Sequence, residues 1–382
     1  MSSPSSKSDA VARTRGGGIA DDNRPLFLIR VTLAMYIADF DYELPPSAIA
    51  QEPLLERDAS RLLVLDRATG RRRHRRFRDL PDLLDPGDLL VGNRSRVRPA
   101  RLLGRRRGGG KAEILLVRSR GAGDWDALVR PGNRLKAGSR VVMNADFEVT
   151  VGEAVGLALG PGAPLRRVHL WSRDGDPEAA IERLGRVPLP PYIGRPDTPS
   201  DRERYQTVYA CEPGSVAAPT AGLHFSHALL DRLDRKGVKC THVVLHVGPG
   251  TFQPVKVGRV EDHRVAPEPF LVPEETATAV RQARRDGRRV VAVGTTTTRV
   301  LETAAAPGRT VSARRGETSL VIIPGFEFCV VDALVTNFHL PRSSLLLLAA
   351  AFAGRQAILA AYADAIAHGY RFYSYGDAML IL

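Results

Sequence analysis

The chain has 382 residues, 43% of them hydrophobic and 25% charged, and its net charge is +13. This composition is typical of a soluble globular protein of two to three domains, and it excludes a collagen-like chain, a disulfide scaffold and wholesale disorder. No apolar run reaches the ~18 residues of a membrane span, and three scattered cysteines without a CxxC spacing indicate neither a disulfide framework nor a zinc site. We therefore expect a cytoplasmic protein without membrane contact.

The first 34 residues predict a disordered N-terminal extension. They are rich in Ser, Gly and Arg and show no apolar periodicity. The apolar run at residues 26–31 is followed by no small-residue cleavage site, which argues against a signal peptide. We expect the folded chain to begin at Met35.

Short apolar runs follow one another between residues 61 and 172 and are separated by Gly and Pro. This spacing predicts a small antiparallel barrel. The predicted strands cover residues 61–66, 88–91, 97–103, 112–118, 125–129, 141–143, 147–151 and 168–171.

From residue 177 onward, helical and strand patterns alternate, which predicts a largely parallel sheet flanked by helices. The predicted helices cover residues 177–184, 226–236, 273–285, 298–305, 343–353 and 356–367. The predicted strands cover residues 241–247, 289–294, 320–323 and 329–331, and a further strand precedes the segment that begins at residue 336.

Polar residues gather where predicted strands end, and in parallel sheets such positions carry function. His224, His246 and His339 each occupy a place of this kind. A single histidine there is more often structural, but the recurrence favours a functional interpretation. Thr295 and Thr296 follow a glycine at a predicted helix start, which suits either a helix cap or an anion cradle. No Walker lysine loop, HExxH or GxSxG motif is present.

Positive charge is concentrated between residues 71 and 107, where thirteen arginines stand against four aspartates. The pattern fits a solvated basic surface and a phosphate-binding face equally well. Outside this stretch, Arg202, Arg204 and Arg371 are the next candidates for contact with nucleic acid.

Several long motifs resemble the QueA family of S-adenosylmethionine:tRNA ribosyltransferase-isomerases. They are PTAGLHF (residues 219–225), LHVGPGTF (245–252), TNFHLPRS (336–343), YRFYSYGDAMLI (370–381) and PGDLLVGN (86–93). The resemblance implies an α/β fold, in which a barrel-like α/β domain (residues 35–91 and 181–382) is interrupted by a small antiparallel β-barrel domain (residues 92–180). It also implies transfer of the ribosyl moiety of S-adenosylmethionine to 7-aminomethyl-7-deazaguanine at the tRNA wobble position. The products would be epoxyqueuosine-tRNA, adenine and methionine.

Site residues follow from the matching motifs, from the threonines at the predicted helix start and from the basic stretch. We expect catalytic roles for His224, His246 and His339, without ranking the first two as proton carriers. The expected substrate-binding residues are Thr220, Gly222, Gly250, Thr251, His263, Thr295, Thr296, Arg299, Asn337 and Asp377. The expected tRNA-binding residues are Arg72, Arg73, Arg75, Arg105 and Arg106. S-adenosylmethionine would be a co-substrate, with no metal or other cofactor, and the protein would act as a monomer.

Two segments depart from the commonest family pattern, at residues 93–102 and 263–268. They keep two alternatives open. One is a paralogue that binds tRNA without catalysis, and the other is an enzyme acting on a different S-adenosylmethionine or nucleoside substrate.

Overall fold

The structure, a computed structural model, describes residues 35–155, 165–252 and 255–382. The expected extension over residues 1–34 lies outside the described residues. The strands are β1 (Arg61–Leu65), β2 (Arg72–Arg76), β3 (Leu89–Asn93), β4 (Ser95–Val97), β5 (Arg101–Arg106), β6 (Lys111–Gly121), β7 (Asp124–Arg130), β8 (Arg140–Asn144), β9 (Phe147–Ala154), β10 (Arg166–Ser172), β11 (Glu212–Ser215), β12 (Lys239–Leu245), β13 (Glu268–Val272), β14 (Val290–Val293), β15 (Ala305–Ala306), β16 (Thr310–Val311), β17 (Arg314–Thr318), β18 (Ala333–Asn337) and β19 (Ala378–Ile381).

Helices and short 3-10 turns connect these strands. The α-helices are α1 (Leu80–Leu83), α2 (Pro177–Leu184), α3 (Asp201–Arg204), α4 (His227–Arg235), α5 (Glu274–Arg285), α6 (Thr295–Thr303), α7 (Ser344–Ala353) and α8 (Arg355–Ala367). The 3-10 turns are Ile37–Phe40, Pro46–Ala48, Arg57–Ala59, Phe77–Asp79, Thr220–His224, Pro249–Phe252 and Val260–Asp262.

Strands β5 to β10 form a closed antiparallel barrel in the order β10-β7-β6-β5-β8-β9. Buried and exposed residues alternate along β9 and β10, as expected for strands with one face toward a core and one toward solvent. Ile114, Val149 and Val168 are among the residues that fill the barrel interior. The predicted small antiparallel barrel is confirmed, but the predicted strands at residues 61–66 and 88–91 belong to the large sheet instead.

The other strands form mainly a nine-stranded sheet in the order β17-β13-β12-β3-β14-β18-β19-β1-β2. Four neighbouring strands, β12, β3, β14 and β18, run parallel, while β13, β17, β19 and β2 pair antiparallel with a neighbour. The sheet is therefore mixed, whereas the sequence predicts a largely parallel one. The difference arises because several segments between the helices form strands that pair antiparallel with their neighbours. The predicted α/β fold class is confirmed.

The large sheet is the middle layer of the α/β part. Along β14, Val290 and Ala292 belong to a core that includes residues of α5 to α8, and Val291 and Val293 belong to a core that includes α4. This two-sided burial explains why β14 and β18 consist of buried residues throughout.

The helices begin where capping residues predict. The Ser226 hydroxyl accepts from the backbone N–H of Leu229 at the start of α4, and Ser343 accepts from Leu346 at the start of α7. In the described part of the chain, no single helix is long and apolar enough to cross a membrane, although α7 and α8 have the combined length and composition of a span bent by 113°.

Some predicted strands are wrong. Residues 320–323 and 329–331 are loops, and the backbone N–H groups of Cys329, Val330 and Val331 donate to the buried carboxylate of Glu302 rather than to a neighbouring strand. The predicted strand at residues 97–103 is divided into β4 and β5, and Pro99, which has no N–H to donate, lies between them.

Candidate active site

The polar clusters that follow the parallel strands do meet at one edge of the large sheet. Asn93 ends β3, His246 follows β12, Gly294 follows β14 and Asn337 ends β18. Because these four strands are parallel neighbours, their carboxyl ends lie side by side. The edge has two adjacent cavities, which share Val247 and Leu345 in their walls.

Asn93 holds this edge together. Its amide nitrogen donates to the Leu245 carbonyl (3.1 Å) and to the Thr296 hydroxyl (3.3 Å), and its amide oxygen accepts from the N–H groups of Ser95 (3.0 Å) and Leu245 (3.1 Å). The side chain is completely buried and every one of its hydrogen-bonding positions is used. Asn93 thus ties β3, β12 and α6 into one unit, a role that the sequence analysis did not foresee.

His246 lies in the wall of the larger cavity. Its Nδ1 is 3.0 Å from the Ser95 hydroxyl, which is 2.5 Å from the Ser215 hydroxyl. The Ser215 hydroxyl lies 3.4 Å from the Leu245 carbonyl. When it donates there, Ser95 donates to Ser215 and accepts from the Nδ1–H of His246, and Nε2 of His246 then carries a lone pair. Nε2 has no hydrogen-bond partner among the described residues.

The electrostatic surroundings keep His246 neutral. Burial lowers its pKa, and the neighbouring Glu212 opposes this shift only in part. A half-buried, neutral imidazole with one unoccupied nitrogen is the arrangement expected of a general base near neutral pH.

The larger cavity has a volume of about 290 Å³ and lies between the barrel and the sheet. The barrel side contributes Arg98 and Trp125, whose guanidinium and ring stack at 5.4 Å. The sheet side contributes His246, Gly250 and Arg299. The cavity thus brings together side chains from both parts of the fold.

Arg299 is already paired. Its guanidinium forms an ion pair with Glu268 and donates through Nε to the Leu320 carbonyl at 2.9 Å. Its remaining terminal nitrogen, Nη2, is buried and has no hydrogen-bond partner among the described residues. A ligand at this position would therefore meet one free N–H2 group rather than a free positive charge.

The smaller cavity has a volume of about 60 Å³, and five predicted site residues lie in its wall. Those in its wall are Thr220, Thr295, Thr296, Asn337 and His339. Gly294 precedes α6 with φ of +90°, a conformation that favours glycine, and so turns the first N–H groups of α6 toward this edge.

His339 is held from three sides. Its Nε2 lies 2.8 Å from the Thr336 hydroxyl, its backbone N–H donates to the Tyr362 hydroxyl at 3.0 Å, and its carbonyl oxygen accepts from the Tyr42 hydroxyl. Burial lowers the pKa of His339 to about 3, so the ring is neutral at neutral pH.

His224 lies behind the smaller cavity and both of its ring nitrogens are occupied. The amide nitrogen of Asn337 donates to the Tyr373 carbonyl (3.1 Å) and to the Nε2 of His224 (3.1 Å). The Nδ1 of His224 therefore carries the proton and donates to the Ser60 hydroxyl at 2.8 Å. The ring also stacks on Phe77, with 5.0 Å between the ring centroids.

His224 is neutral as well. Burial lowers its pKa to about 3, and the positive charges of Arg371 and Arg57 add to that shift. Because both nitrogens have protein partners, His224 positions the amide of Asn337 rather than facing the smaller cavity itself.

Two buried polar atoms on residues that line the smaller cavity have no partner among the described residues. They are the amide oxygen of Asn337 and the hydroxyl of Tyr373, and Tyr373 also has a φ of +73°. Buried unpaired polar groups and left-handed non-glycine residues are both costly, and both are concentrated at binding sites. Asn337 is among the predicted substrate-binding residues, whereas Tyr373 is not, because only the fold shows which atoms are left without partners.

The remaining predicted substrate residues lie elsewhere. Asp377 is buried and its two oxygens accept the backbone N–H groups of Arg61 and Arg371, both at 2.8 Å. His263 lines neither cavity. Gly222 packs so closely on Tyr209 that an added Cβ would lie 2.4 Å from its hydroxyl. The side chain of Thr251 lies outside the described residues.

The predicted tRNA-binding arginines do not lie on one continuous surface. Arg72, Arg73 and Arg75 lie on β2, an exposed edge strand of the large sheet, whereas Arg105 and Arg106 lie on β5 in the barrel. The barrel contacts the opposite edge of the sheet, where β6 forms an ion pair with β17. Eight strand spacings of about 4.8 Å separate the two edges, roughly 38 Å along the sheet.

Outside these cavities, the fold brings together His74, Asp364 and His368, whose ligand atoms lie within 4.8 Å of one another. Such a group could hold a metal ion. The Asp364 carboxylate already pairs with Arg72 at 3.2 Å, so its negative charge is balanced by the protein.

His246 is a neutral imidazole with an open nitrogen, and buried polar atoms without partners among the described residues lie near it. This is the arrangement expected of an enzyme active site, in a cleft between a mixed β-sheet and a barrel. The chain matches, over residues 37–381, the family model described as Queuosine biosynthesis protein. It belongs to this family.

Curated relatives are similar over nearly their whole length. A protein of Thermotoga maritima is 52% identical over 348 residues, which are 91% of this chain and 100% of the relative. A protein of Thermus thermophilus is 53% identical over 351 residues, 90% of this chain and 98% of the relative. Both are named S-adenosylmethionine:tRNA ribosyltransferase-isomerase.

One solved structure, described as S-adenosylmethionine tRNA ribosyltransferase from Thermotoga maritima, is similar with a TM-score of 0.52 and 42% identity. The similarity covers 90% of this chain and 100% of that one. The comparisons confirm the predicted family and fold class and the prediction that the chain is an enzyme of queuosine biosynthesis.

Proposed function

We propose that the chain transfers the ribosyl moiety of S-adenosylmethionine to 7-aminomethyl-7-deazaguanine at the tRNA wobble position and isomerises it to give epoxyqueuosine. The names of the relatives support the donor and the acceptor. Nothing in the comparisons favours a non-catalytic paralogue or a different nucleoside substrate.

His246 is the general base in this proposal, and its open Nε2 is the single observation that carries the assignment. The sulfonium of S-adenosylmethionine makes the adjacent ribose 5′ carbon acidic. The lone pair on Nε2 would take that proton while Nδ1–H stays bonded to Ser95. The hydrogen-bonded pair Ser95–Ser215 stabilises the imidazolium that forms, because it fixes the ring and because the Ser95 hydroxyl accepts from Nδ1–H.

The smaller cavity suits the amino-acid end of S-adenosylmethionine. The first N–H groups of α6, at Thr295 and Thr296, would bind the carboxylate, since they lack partners within the helix and the helix dipole is positive there. The unpaired amide oxygen of Asn337 would accept from the ammonium group. Held in this way, the sulfonium would lie near Val247 and Leu345, where the two cavities adjoin.

The larger cavity would then take the adenosyl part and the acceptor base. Trp125 offers an aromatic surface for stacking, and the free Nη2 of Arg299 offers a hydrogen-bond donor. Adenine departs more easily when a donor of this kind stabilises the negative charge on the leaving base.

Release of adenine from S-adenosylmethionine tests the proposal. The enzyme should release adenine only when a tRNA bearing 7-aminomethyl-7-deazaguanine is present, and the tRNA should gain the mass of the epoxycyclopentanediol. Release without that tRNA would favour a different acceptor, and binding of the tRNA without release would favour the non-catalytic paralogue.

We further propose a cytoplasmic monomer with two folded parts, residues 35–91 with 181–382 and residues 92–180, and with no metal or resident cofactor. Light scattering during gel filtration should give the mass of one chain, 41.6 kDa. Dialysis against a chelator should leave the turnover rate unchanged.

A further inference from the structure

Behind the smaller cavity, on the far side of His224, three arginines line a shallow pocket of about 20 Å³. They are Arg57, Arg204 and Arg371. Within the described residues, none of the three forms an ion pair with a carboxylate within 4 Å, whereas some neighbouring arginines do. Arg78, for example, pairs with Glu56 at 2.7 Å, and Arg195 pairs with Asp201 at 2.7 Å.

Backbone carbonyl groups hold these guanidiniums in place instead. The contacts are from Arg57 to the carbonyls of Leu223 (3.1 Å) and Glu203 (2.9 Å), from Arg204 to Leu54 and Leu55 (2.9 Å to the latter), and from Arg371 to Glu52 (3.2 Å) and Tyr375 (2.8 Å). Carbonyl groups orient a guanidinium without cancelling its charge. The Nε of Arg204 is buried and has no partner among the described residues.

The pocket is therefore electropositive. Burial lowers the pKa of Arg57, and the charge of Arg204 lowers it further. Burial also lowers the pKa of Arg371. Glu203 acts electrostatically on Arg57 and Asp377 on Arg371, but Asp377 already accepts two backbone N–H groups, and neither carboxylate forms an ion pair with the three arginines. Asp201 and Glu52, which lie beside Tyr375, pair with Arg195 instead. Uncompensated, partly buried charges are costly to a protein unless a partner arrives.

We propose that Arg57, Arg204 and Arg371 form a binding site for a phosphodiester group of the nucleic-acid substrate. Three guanidiniums around one pocket match a tetrahedral group with several anionic oxygens, which Arg binds through paired N–H donors. The inference rests on the proposed function, since it is the tRNA that supplies the phosphate.

The position of the pocket supports this ligand. Ser374 lines both the pocket and the smaller cavity, so a phosphate here would lie close to the reaction site. Arg61 acts electrostatically on Arg371 and also lines an open depression with Arg75 and Arg76 of β2. The pocket thus continues the basic surface of β2 toward the site.

The test is binding of an RNA hairpin carrying the modified wobble base, measured by fluorescence anisotropy at several salt concentrations. Arg204→Gln should weaken binding about tenfold or more, because a charge-assisted contact is lost. The slope of log affinity against log salt should become shallower by about 0.7–0.9, the value for one phosphate. Arg204→Lys, which keeps the charge, should retain most of that slope.

Arg232→Gln is the matched control. Arg232 lies on α4 and also donates to a backbone carbonyl, that of Arg78 at 3.0 Å, but it does not line the pocket. This variant should bind the hairpin as the wild type does. Circular dichroism and melting temperature verify that each variant is folded.

A hairpin in which methylphosphonates replace the phosphates flanking the modified base separates a phosphate site from other sources of the effect. Arg204→Gln should make no difference to the affinity for this neutralised hairpin. An equal loss with both hairpins would overturn the inference, as would weaker binding of S-adenosylmethionine alone, which would indicate a carboxylate site. Failure of the proposed function is distinguishable, because the wild type itself would then neither bind the hairpin nor release adenine.

Discussion

The two cavities at the sheet edge differ in how their histidines are held. In the larger cavity, His246 has one nitrogen fixed by Ser95 and one open, and it is only half-buried. At the smaller cavity, His224 and His339 are buried and hydrogen-bonded to neighbouring side chains. Under the proposed function this difference places the proton transfer at the first cavity. Both ring nitrogens of His224 already have partners, and His339, whose ring is bonded only through Nε2 among the described residues, has its pKa lowered by burial to about 3, too low for an effective base near neutral pH.

The largest effect expected from this contrast is the loss of turnover when His246 is replaced. His246→Ala should lower kcat by about 10²–10⁴-fold, the usual contribution of a positioned proton-transfer group, while the melting temperature changes little. His227→Ala, at the exposed start of α4, is the control and should turn over normally. Rates of adenine release decide the matter, and wild-type kcat in His246→Ala would exclude this residue as the base.

His224→Ala should act on stability as well as on turnover. The substitution removes a buried ring that stacks on Phe77, and it removes one hydrogen-bond partner from the Asn337 amide and one from the Ser60 hydroxyl. We expect a loss of about 2–4 kcal/mol in the free energy of unfolding, measured by urea denaturation. Turnover should fall through a raised KM for S-adenosylmethionine. A variant as stable as the wild type would contradict the buried network described here.

The buried histidines at the smaller cavity should make the free energy of unfolding depend on pH. The folded-state pKa values of His224 and His339 are both lowered to about 3, so the unfolded chain binds protons that the folded chain does not. Their contribution to stability is complete above the unfolded pKa of about 6.5 and falls as the pH decreases from there toward 3. Between pH 7 and pH 5.5, each histidine should remove about 1 kcal/mol.

Urea denaturation at the two pH values measures this loss. In His224→Gln, whose side chain does not titrate, the loss should be smaller by about 1 kcal/mol. The remaining loss comes from His339 and from His242, His246 and His263, whose pKa values are also lowered by burial. An equal loss in that variant would mean that other groups cause the acid sensitivity.

The smallest expected effects concern the two basic surfaces. Replacing Arg72, Arg73 and Arg75 on β2 by Ala should weaken tRNA binding and flatten its salt dependence, because that surface continues toward the active site. Replacing Arg105 and Arg106 in the barrel should have a smaller effect of the same sign. Affinity measured against salt concentration gives both slopes. If neither slope changes, the charged edge strand serves only to prevent pairing with other chains.

The sequence was informative where a pattern is local or repeated. Strand spacing predicts the barrel, and serine caps predict α4 and α7, since both depend on nearby residues. The grouping of His246, Asn337 and His339 at one edge also follows from strand order. By contrast, β2 has no buried residue, and only its position beside β1 makes it a strand.

What the sequence could not supply is the partner of each polar atom. Arg299 is predicted to bind the substrate, yet the fold pairs its guanidinium with the Glu268 carboxylate. Asp377 was expected in the site, yet it ties two backbone segments together. Such pairings join residues far apart in the chain, so neither composition nor spacing contains them.

Asn93 has a consequence for how the two cavities respond to one another. Its side chain bonds Leu245, next to His246, and Thr296, in the wall of the smaller cavity. A shift of either element breaks a bond that is completely buried, so the two cavities cannot rearrange separately. Substitutions in the two cavities should therefore have non-additive effects on the free energy of unfolding. A ligand bound in one cavity should also alter the affinity of the other cavity for its own ligand.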